Sequence, residues 1–172
     1  ANNSWQFNLT LVFSSLLMVA LVDYIFVSLR AVVKNTWRTI TLRIILTVTA
    51  LDVGAVGLFP NNANFHILHD KVAGYLVYLI IILIVGIRWL LPEVGKRFLA
   101  LSYGMCVGLV IIDLMFKPLH IISLTAFELI AFILAFGWIL ILFDTMIGIV
   151  EDEDDKYDVK IEIDEQVKKN AD

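Results

Sequence analysis

The sequence predicts an all-α fold, a polytopic transmembrane helix bundle with five spans. Of its 172 residues 60% are hydrophobic, and the mean hydropathy is +0.87. Five long apolar stretches alternate with short polar links that hold all three prolines. Each stretch is near or above the roughly 20 residues with which a helix crosses about 30 Å of hydrocarbon. Stretches such as 76–85 are apolar on every side, whereas a helix of a water-soluble domain would keep a polar stripe.

The spans end at residues that are unfavourable inside hydrocarbon. The first ends at a basic link, the second at Pro60, the third before Arg88, the fourth before Lys117 and the last at an acidic run. We therefore predict a membrane bundle over residues 1–150, with spans at about 7–29, 39–59, 67–87, 98–116 and 123–150. The sequence begins without Met, so we expect that an upstream segment preceded it.

Basic residues predict the orientation of the bundle, since Lys and Arg near span ends resist translocation while Asp and Glu matter little. The links at residues 60–66 and 117–122 contain one basic residue, Lys117, and Lys71 lies just beyond the first of them. The other two links carry six basic residues, Arg30, Lys34, Arg38, Arg88, Lys96 and Arg97. We therefore place the amino terminus outside and the carboxyl terminus in the cytoplasm. The expected location is a bacterial cytoplasmic membrane.

An acidic tail follows the last span. Residues 151–172 contain ten acidic residues and four lysines, a net charge of −6. Between Tyr157 and Asp164 apolar and charged residues alternate, a pattern typical of a strand that could pair with a partner's sheet. The other interpretation is a solvated tail, disordered on its own. In both cases the tail is a candidate contact for a protein partner in the cytoplasm.

Small residues four positions apart predict where helices pack closely, because lipid gives no hydrophobic drive for helix association. Trp138 is a second packing signal: it lies deep in the last span, where its indole N–H needs an acceptor. The pairs of small residues are Ala50 with Gly54, Gly104 with Gly108, and Ala131 with Ala135.

Ionisable residues inside the spans are costly unless they are paired or hydrated, so they indicate structure or function. Asp23 and Arg43 lie near the cytoplasmic ends of adjacent spans. They are close enough to form a structural ion pair between the first two helices.

A second group of ionisable residues is predicted to form an external polar cluster. Three carboxylates, from different spans, lie about 6–10 Å below the external boundary at 1.5 Å per residue. The third span begins at that level with two histidines and an aspartate, spaced to share one helical face. His120, in the last external link, could join them. The cluster comprises Asp52, His66, His69, Asp70, Asp113 and Glu128.

The predicted cluster permits three kinds of chemistry. His66, His69 and Asp70 could bind Zn²⁺ and activate water, although their spacing is not that of the zincin motif. Glu128 or Asp113 would then act as the base. Alternatively, a carboxylate beside histidine could relay protons in a transporter. In the third interpretation these side chains only satisfy one another and fix the register of the helices.

The residues from 52 to 74 resemble a known family. Asp52-x-x-Gly-x-x-Gly-Leu-Phe-Pro60, followed by His69 and Ala73-Gly74, is similar to the bacterial and archaeal multi-pass proteins of domain of unknown function nine hundred and ninety-eight. These are distantly like the Frag1/DRAM/Sfk1 membrane proteins. The resemblance implies a compact bundle in the cytoplasmic membrane, commonly with one more span, and no established catalytic residue. The acidic tail departs from the pattern.

Three functional hypotheses follow. The first is a non-enzymatic accessory or scaffold subunit of the cell envelope, with the tail as its cytoplasmic contact. The second is an intramembrane metal-dependent hydrolase acting on a lipid or amide at the outer leaflet. The third is a small proton-coupled or lipid transporter, with Asp52 and Glu128 lining a wet cavity. Nucleic-acid binding is excluded as a hypothesis, because it requires a basic surface and the large charged segment is acidic.

Overall fold

The computed structural model describes residues 4–32, 36–62 and 64–169. Within these ranges the chain forms helices joined by short links and contains no strand. The helices are α1 Ser4–Val32, α2 Thr36–Leu58, α3 His66–Leu90, α4 Lys96–Phe116 and α5 Leu124–Lys169. The prediction of an all-α fold is therefore confirmed.

All five of these helices contain a segment long and apolar enough to cross a membrane, as predicted. The predicted bounds agree with the observed ones to within about three residues, because the polar flanks that end an apolar run are also where helices end. The segments are Trp5–Leu29, Trp37–Leu58, His66–Leu90, Lys96–Phe116 and Ala126–Asp152. These helices support a multi-pass integral membrane protein.

The helices form a closed ring. Each helix packs against the next in sequence, and α5 returns to contact α1 as well as α3. Short links make neighbouring helices antiparallel, so the bundle has two ends. The Pro60 end comprises the start of α1 and the links 59–65 and 117–123. The Pro92 end comprises the join between α1 and α2 and the link 91–95.

A dense apolar core lies towards the Pro92 end. Its centre is Trp138, which is fully buried. The indole N–H of Trp138 donates to Ser102 Oγ at 2.9 Å, and that hydroxyl donates to the Phe98 carbonyl at 2.8 Å. The expected acceptor for the Trp138 indole is therefore present. The same apolar core contains side chains with almost no exposure, including Ile80, Leu83, Ile84, Ile87, Leu142 and Met146.

Glycines of α2 pack α1 against α2 near the Pro60 end. A Cβ on Gly54 would lie 2.7 Å from Ser15 Oγ, and one on Gly57 would lie 2.6 Å from the Asn8 carbonyl oxygen. The prediction of a close contact through Ala50 and Gly54 is thus confirmed at Gly54, and Ala50 is fully buried. The prediction for the fourth span is wrong at Gly104, where a Cβ would meet nothing within 4 Å.

The acidic tail is helical. α5 continues without a break from its apolar segment to Lys169, so both the strand predicted over 157–164 and the disordered alternative are wrong. Extending an existing helix adds one hydrogen bond per residue without the cost of nucleation. Neither Gly nor Pro occurs between Ile149 and Lys169 to stop it. Residues 151–169 therefore form a helical continuation of α5, which we call the α5 extension.

Candidate functional site

The Pro60 end holds the residues of the predicted polar cluster, and His69 makes the best-defined contacts among them. Its side chain is 13% exposed. His69 Nδ1 lies 2.7 Å from the carbonyl oxygen of Phe59. A carbonyl can only accept, so Nδ1 carries the proton and donates. Carbonyls at a helix C-terminus lack partners within the helix, and His69 of α3 satisfies the one that follows α2.

Glu128 lies on the other side of the same imidazole. Its Oε1 is 4.0 Å from His69 Nε2, and its side chain is 42% exposed. This distance permits an ion pair with a protonated imidazole but is too long for a hydrogen bond. His69 thus connects α3 with the end of α2 and with α5.

The residues proposed as metal ligands do not meet. His66 and Asp70 are exposed on the first turns of α3, whereas His69 is turned inwards to Phe59. Across the described residues, no three His, Cys, Asp or Glu side chains are grouped closely enough to hold a metal ion. The geometry gives no support to a Zn²⁺ site, and the metal-dependent hydrolase stays a hypothesis from sequence.

Asp113 forms an ion pair with Lys117, the residue that follows the last turn of its helix. Its Oδ1 lies 3.1 Å from Lys117 Nζ, which also lies 3.2 Å from the Tyr78 hydroxyl and 5.3 Å from the centre of its ring. The hydrogen bond to Tyr78 raises the pKa of Lys117, and Asp113 raises it further against the opposing effect of burial. Asp113 therefore belongs to a link between α4 and α3.

Asp52 is near the second of these groups, because Tyr78, which Lys117 contacts, lines the same groove as Asp52. It lines an open groove of about 400 Å³ between α2 and α3, the α2–α3 groove, with Val48, Tyr75, Tyr78, Leu79 and Ile82. Its Oδ2 is buried and has no hydrogen-bond partner among the described residues. This oxygen therefore lacks the compensation that a charge in hydrocarbon needs.

His120 is exposed, and its φ of 50° places it in the left-handed region. The link around it closes the end of α4, because the N–H groups of Leu119 and Ile121 donate to the carbonyls of Leu114 and Met115. Among the described residues, no hydrogen bond or ion pair connects His120 with the polar cluster. Its backbone conformation forms part of the turn that follows α4.

In the structure, the proposed cluster is divided between two places. One is the pair of His69 with Glu128. The other is the α2–α3 groove, where Asp52 lies and where Tyr78 is linked through Lys117 to Asp113. Sequence reasoning missed Tyr75 and Tyr78. Their signal was available, since two tyrosines three positions apart share one face of an otherwise aliphatic span.

The pair expected between the first two helices is present. Arg43 Nη2 donates to Asp23 Oδ1, with 62% of the Asp23 side chain exposed. The two residues line a second open groove, of about 420 Å³, with Ile40, Ile44, Thr47 and Val48. Unlike Asp52, Asp23 has a cationic partner within the protein.

Comparison of the chain with protein-family models, curated proteins and solved structures finds no match. The family resemblance described from residues 52–74 therefore stays a prediction. The geometry itself gives a structural reason for part of that motif: Pro60 ends α2, and His69 binds the carbonyl exposed there.

Proposed function

We propose that this chain is a non-enzymatic accessory or scaffold subunit of a membrane complex, which holds a basic cytoplasmic protein on its α5 extension. The observation that carries the proposal is the continuity of α5. One helix runs from the apolar segment ending at Asp152 to Lys169. A helix rises 1.5 Å per residue, so the part beyond Asp152 projects about 26 Å.

A continuous helix suits a scaffold better than a flexible tail does. Binding to a disordered tail costs the conformational entropy of ordering the tail, and the position of the bound partner relative to the membrane is not fixed. A partner bound to the extension is held at a set distance from the bundle. The net charge of −6 over residues 151–172 favours a basic surface on the partner and faster association at low salt.

The proposal requires the Pro92 end and the extension to face the cytoplasm. Aromatic and basic groups gather at this end: the rings of Trp37 and Trp89 lie 4.6 Å apart, and the Arg38 guanidinium is 5.4 Å from the Trp89 ring. Such groups prefer the boundary of the membrane, and basic residues favour its cytoplasmic side.

Cysteine labelling tests this orientation. Cys106 is replaced by serine, and single cysteines are placed at the exposed positions Asn61 and Glu93. A reagent that cannot cross membranes should label position 61 in intact cells and position 93 only after permeabilisation. The reverse pattern would put the extension outside the cell and end the proposal.

The partner is tested by copurification from native membranes. The full chain is compared with a variant in which residues 151–155 carry the isosteric amides, which removes five charges and keeps the size of each side chain. The matched control is Glu93→Gln, an exposed carboxylate at the same end outside the extension. We expect one stoichiometric basic partner, released by salt, lost with the amide variant and kept with the control.

Two results would contradict the proposal. One is a full chain that purifies alone from native membranes. The other is a partner that remains bound after residues 151–172 are deleted, because its binding site would then lie on the bundle.

A further inference from the structure

The α2–α3 groove faces outwards from the bundle. Tyr75, Tyr78 and Ile82 on α3 and Val48 on α2 are at least 45% exposed, so the groove opens sideways to where acyl chains surround the protein. Its volume of about 400 Å³ is within the range of small-ligand sites. Molecules that reach it from the side are lipids.

The polar part of the groove carries one unmatched negative charge. Asp52 is the charged residue of its lining, and its buried Oδ2 has no partner among the described residues. Asp52 is six residues before the end of α2 at Leu58, about 9 Å along the axis. A cation that enters the groove at this depth would offset the cost of the carboxylate.

A positive charge lies at the margin of the same groove. Lys117 Nζ contacts the hydroxyl of Tyr78, whose side chain lines the groove. An ammonium group has three N–H donors, and the contacts with Tyr78 and Asp113 account for two of them. The groove therefore presents a carboxylate and, beyond a tyrosine, an ammonium group.

This order of charges is complementary to a zwitterionic headgroup. We infer that the α2–α3 groove binds a phospholipid with a primary-amine headgroup. Its ammonium group binds Asp52, and its phosphate accepts from Lys117 and the Tyr78 hydroxyl. One acyl chain lies along the aliphatic side chains of Val48, Leu79 and Ile82.

The chemistry distinguishes this lipid from the other common classes. A quaternary choline ammonium has no N–H and cannot donate to the carboxylate, whereas a primary ammonium donates up to three hydrogen bonds. An anionic phospholipid without an amine can place its phosphate at Lys117, but it brings no cation to offset the charge of Asp52.

The groove at Asp23 provides an internal comparison. It has a similar volume, also contains an aspartate and shares Val48 with the α2–α3 groove. Its carboxylate is already bound by Arg43. The inference therefore assigns selectivity for an amine headgroup to Asp52 and none to Asp23. It is independent of whether the α5 extension binds a protein.

Native mass spectrometry of the full chain tests the inference. The purified protein is titrated with phosphatidylethanolamine, phosphatidylcholine and phosphatidylglycerol of identical acyl chains. We expect a single retained lipid, with phosphatidylethanolamine preferred by about tenfold over each of the others. Asp52→Asn should lower its retention to that of phosphatidylcholine, and the exposed control Asp144→Asn should leave the preference unchanged.

A second variant covers the case in which Asp52→Asn does not fold. Leu79→Trp fills the apolar part of the groove without touching the charges, and it should reduce the retention of all three lipids together. Equal retention of the three lipids by the wild type would overturn the inference. So would unchanged phosphatidylethanolamine selectivity in folded Asp52→Asn, or unchanged retention in Leu79→Trp.

Discussion

The Pro92 end and the Pro60 end of this bundle are held together by different means. Towards the Pro92 end, side chains such as Ile84 and Leu142 are fully buried around Trp138, whose indole N–H has its acceptor. At the Pro60 end, His69 and Glu128 form a pair at 4.0 Å. One carboxylate oxygen of Asp52 at this end has no hydrogen-bond partner among the described residues. Apolar packing is concentrated towards the Pro92 end, whereas each end holds one buried polar atom without a hydrogen-bond partner among the described residues, Arg38 Nε at the Pro92 end and Asp52 Oδ2 at the Pro60 end.

The difference suggests how a small membrane protein can combine a rigid frame with a binding surface. Helices in lipid associate through van der Waals packing and satisfied polar contacts, both of which are present around Trp138. Polar groups that the fold leaves without full compensation are then free to bind a ligand. The α5 extension projects from the well-packed end, where its base is fixed.

The largest expected effect comes from breaking the packed end. Trp138→Ala should lower the free energy of unfolding by about 3–5 kcal/mol, because it leaves a cavity and removes the indole hydrogen bond to Ser102. The matched control is Leu140→Ala on the same helix, where the side chain is 65% exposed to the surroundings of the bundle. It should change stability by about 0.5 kcal/mol or less. Unfolding in mixed detergent micelles measures both, and equal losses would refute the placement of the core.

The α1–α2 contact gives the next largest effect. Gly57→Ala should cost about 1–3 kcal/mol, because the new Cβ would lie 2.6 Å from the Asn8 carbonyl oxygen, which is backbone and cannot move freely. Gly104→Ala, with nothing within 4 Å, should be neutral or stabilise by about 0.5–1 kcal/mol through helix propensity. The two variants are compared in the same unfolding assay. A destabilised Gly104→Ala with a neutral Gly57→Ala would reverse the account of this contact.

A smaller effect is expected at the exposed ion pair of Asp23 and Arg43. A double-mutant cycle with Asp23→Asn and Arg43→Gln should give a coupling energy of about 0.5–1 kcal/mol, because the pair joins two helices but is largely open to its surroundings. Additivity of the two substitutions would mean that the pair contributes nothing to the association of α1 and α2.

The smallest expected effect concerns pH. The pKa of Lys117 is raised above its ordinary value of 10.5 by Tyr78 and Asp113, so its stabilising contribution is complete at lower pH and is lost only as the pH rises through the raised pKa. Lys117→Met should therefore shift the unfolding midpoint by the same amount at about pH 6 and about pH 9. If the shift in the unfolding midpoint differs between these two pH values, Lys117 titrates within this range.

The sequence predicted the membrane architecture well because its signal is strong and local. Long apolar runs that end at Pro60, Lys117 or the acidic segment must form helices in lipid, because their backbone polar groups have to be hydrogen-bonded within the segment. The tail was not predicted to be helical, because its alternating pattern favoured a strand and its high charge favoured a disordered segment. A helical signal was present there: Asp152, Asp164 and Glu165 each precede a lysine by four positions.

The polar site was harder to predict, because depth along a helix does not determine which way a side chain points. Asp52, Asp113 and Glu128 were expected to converge, yet the structure shows Asp113 bound to Lys117, Glu128 beside His69, and Asp52 in the α2–α3 groove. Rotation of each helix is set by packing, such as the close approach at Gly57, and sequence spacing alone does not give it.

The most direct test of the contrast between the two ends compares Ser102→Ala with Asp52→Asn in one unfolding assay. Ser102→Ala should cost about 1–3 kcal/mol, because it leaves the buried indole N–H of Trp138 without its acceptor. Asp52→Asn should cost nothing or stabilise the protein, because it removes a charge whose Oδ2 has no partner among the described residues. If Asp52→Asn instead costs as much as Ser102→Ala, the Pro60 end depends on its polar groups for folding and the contrast is wrong.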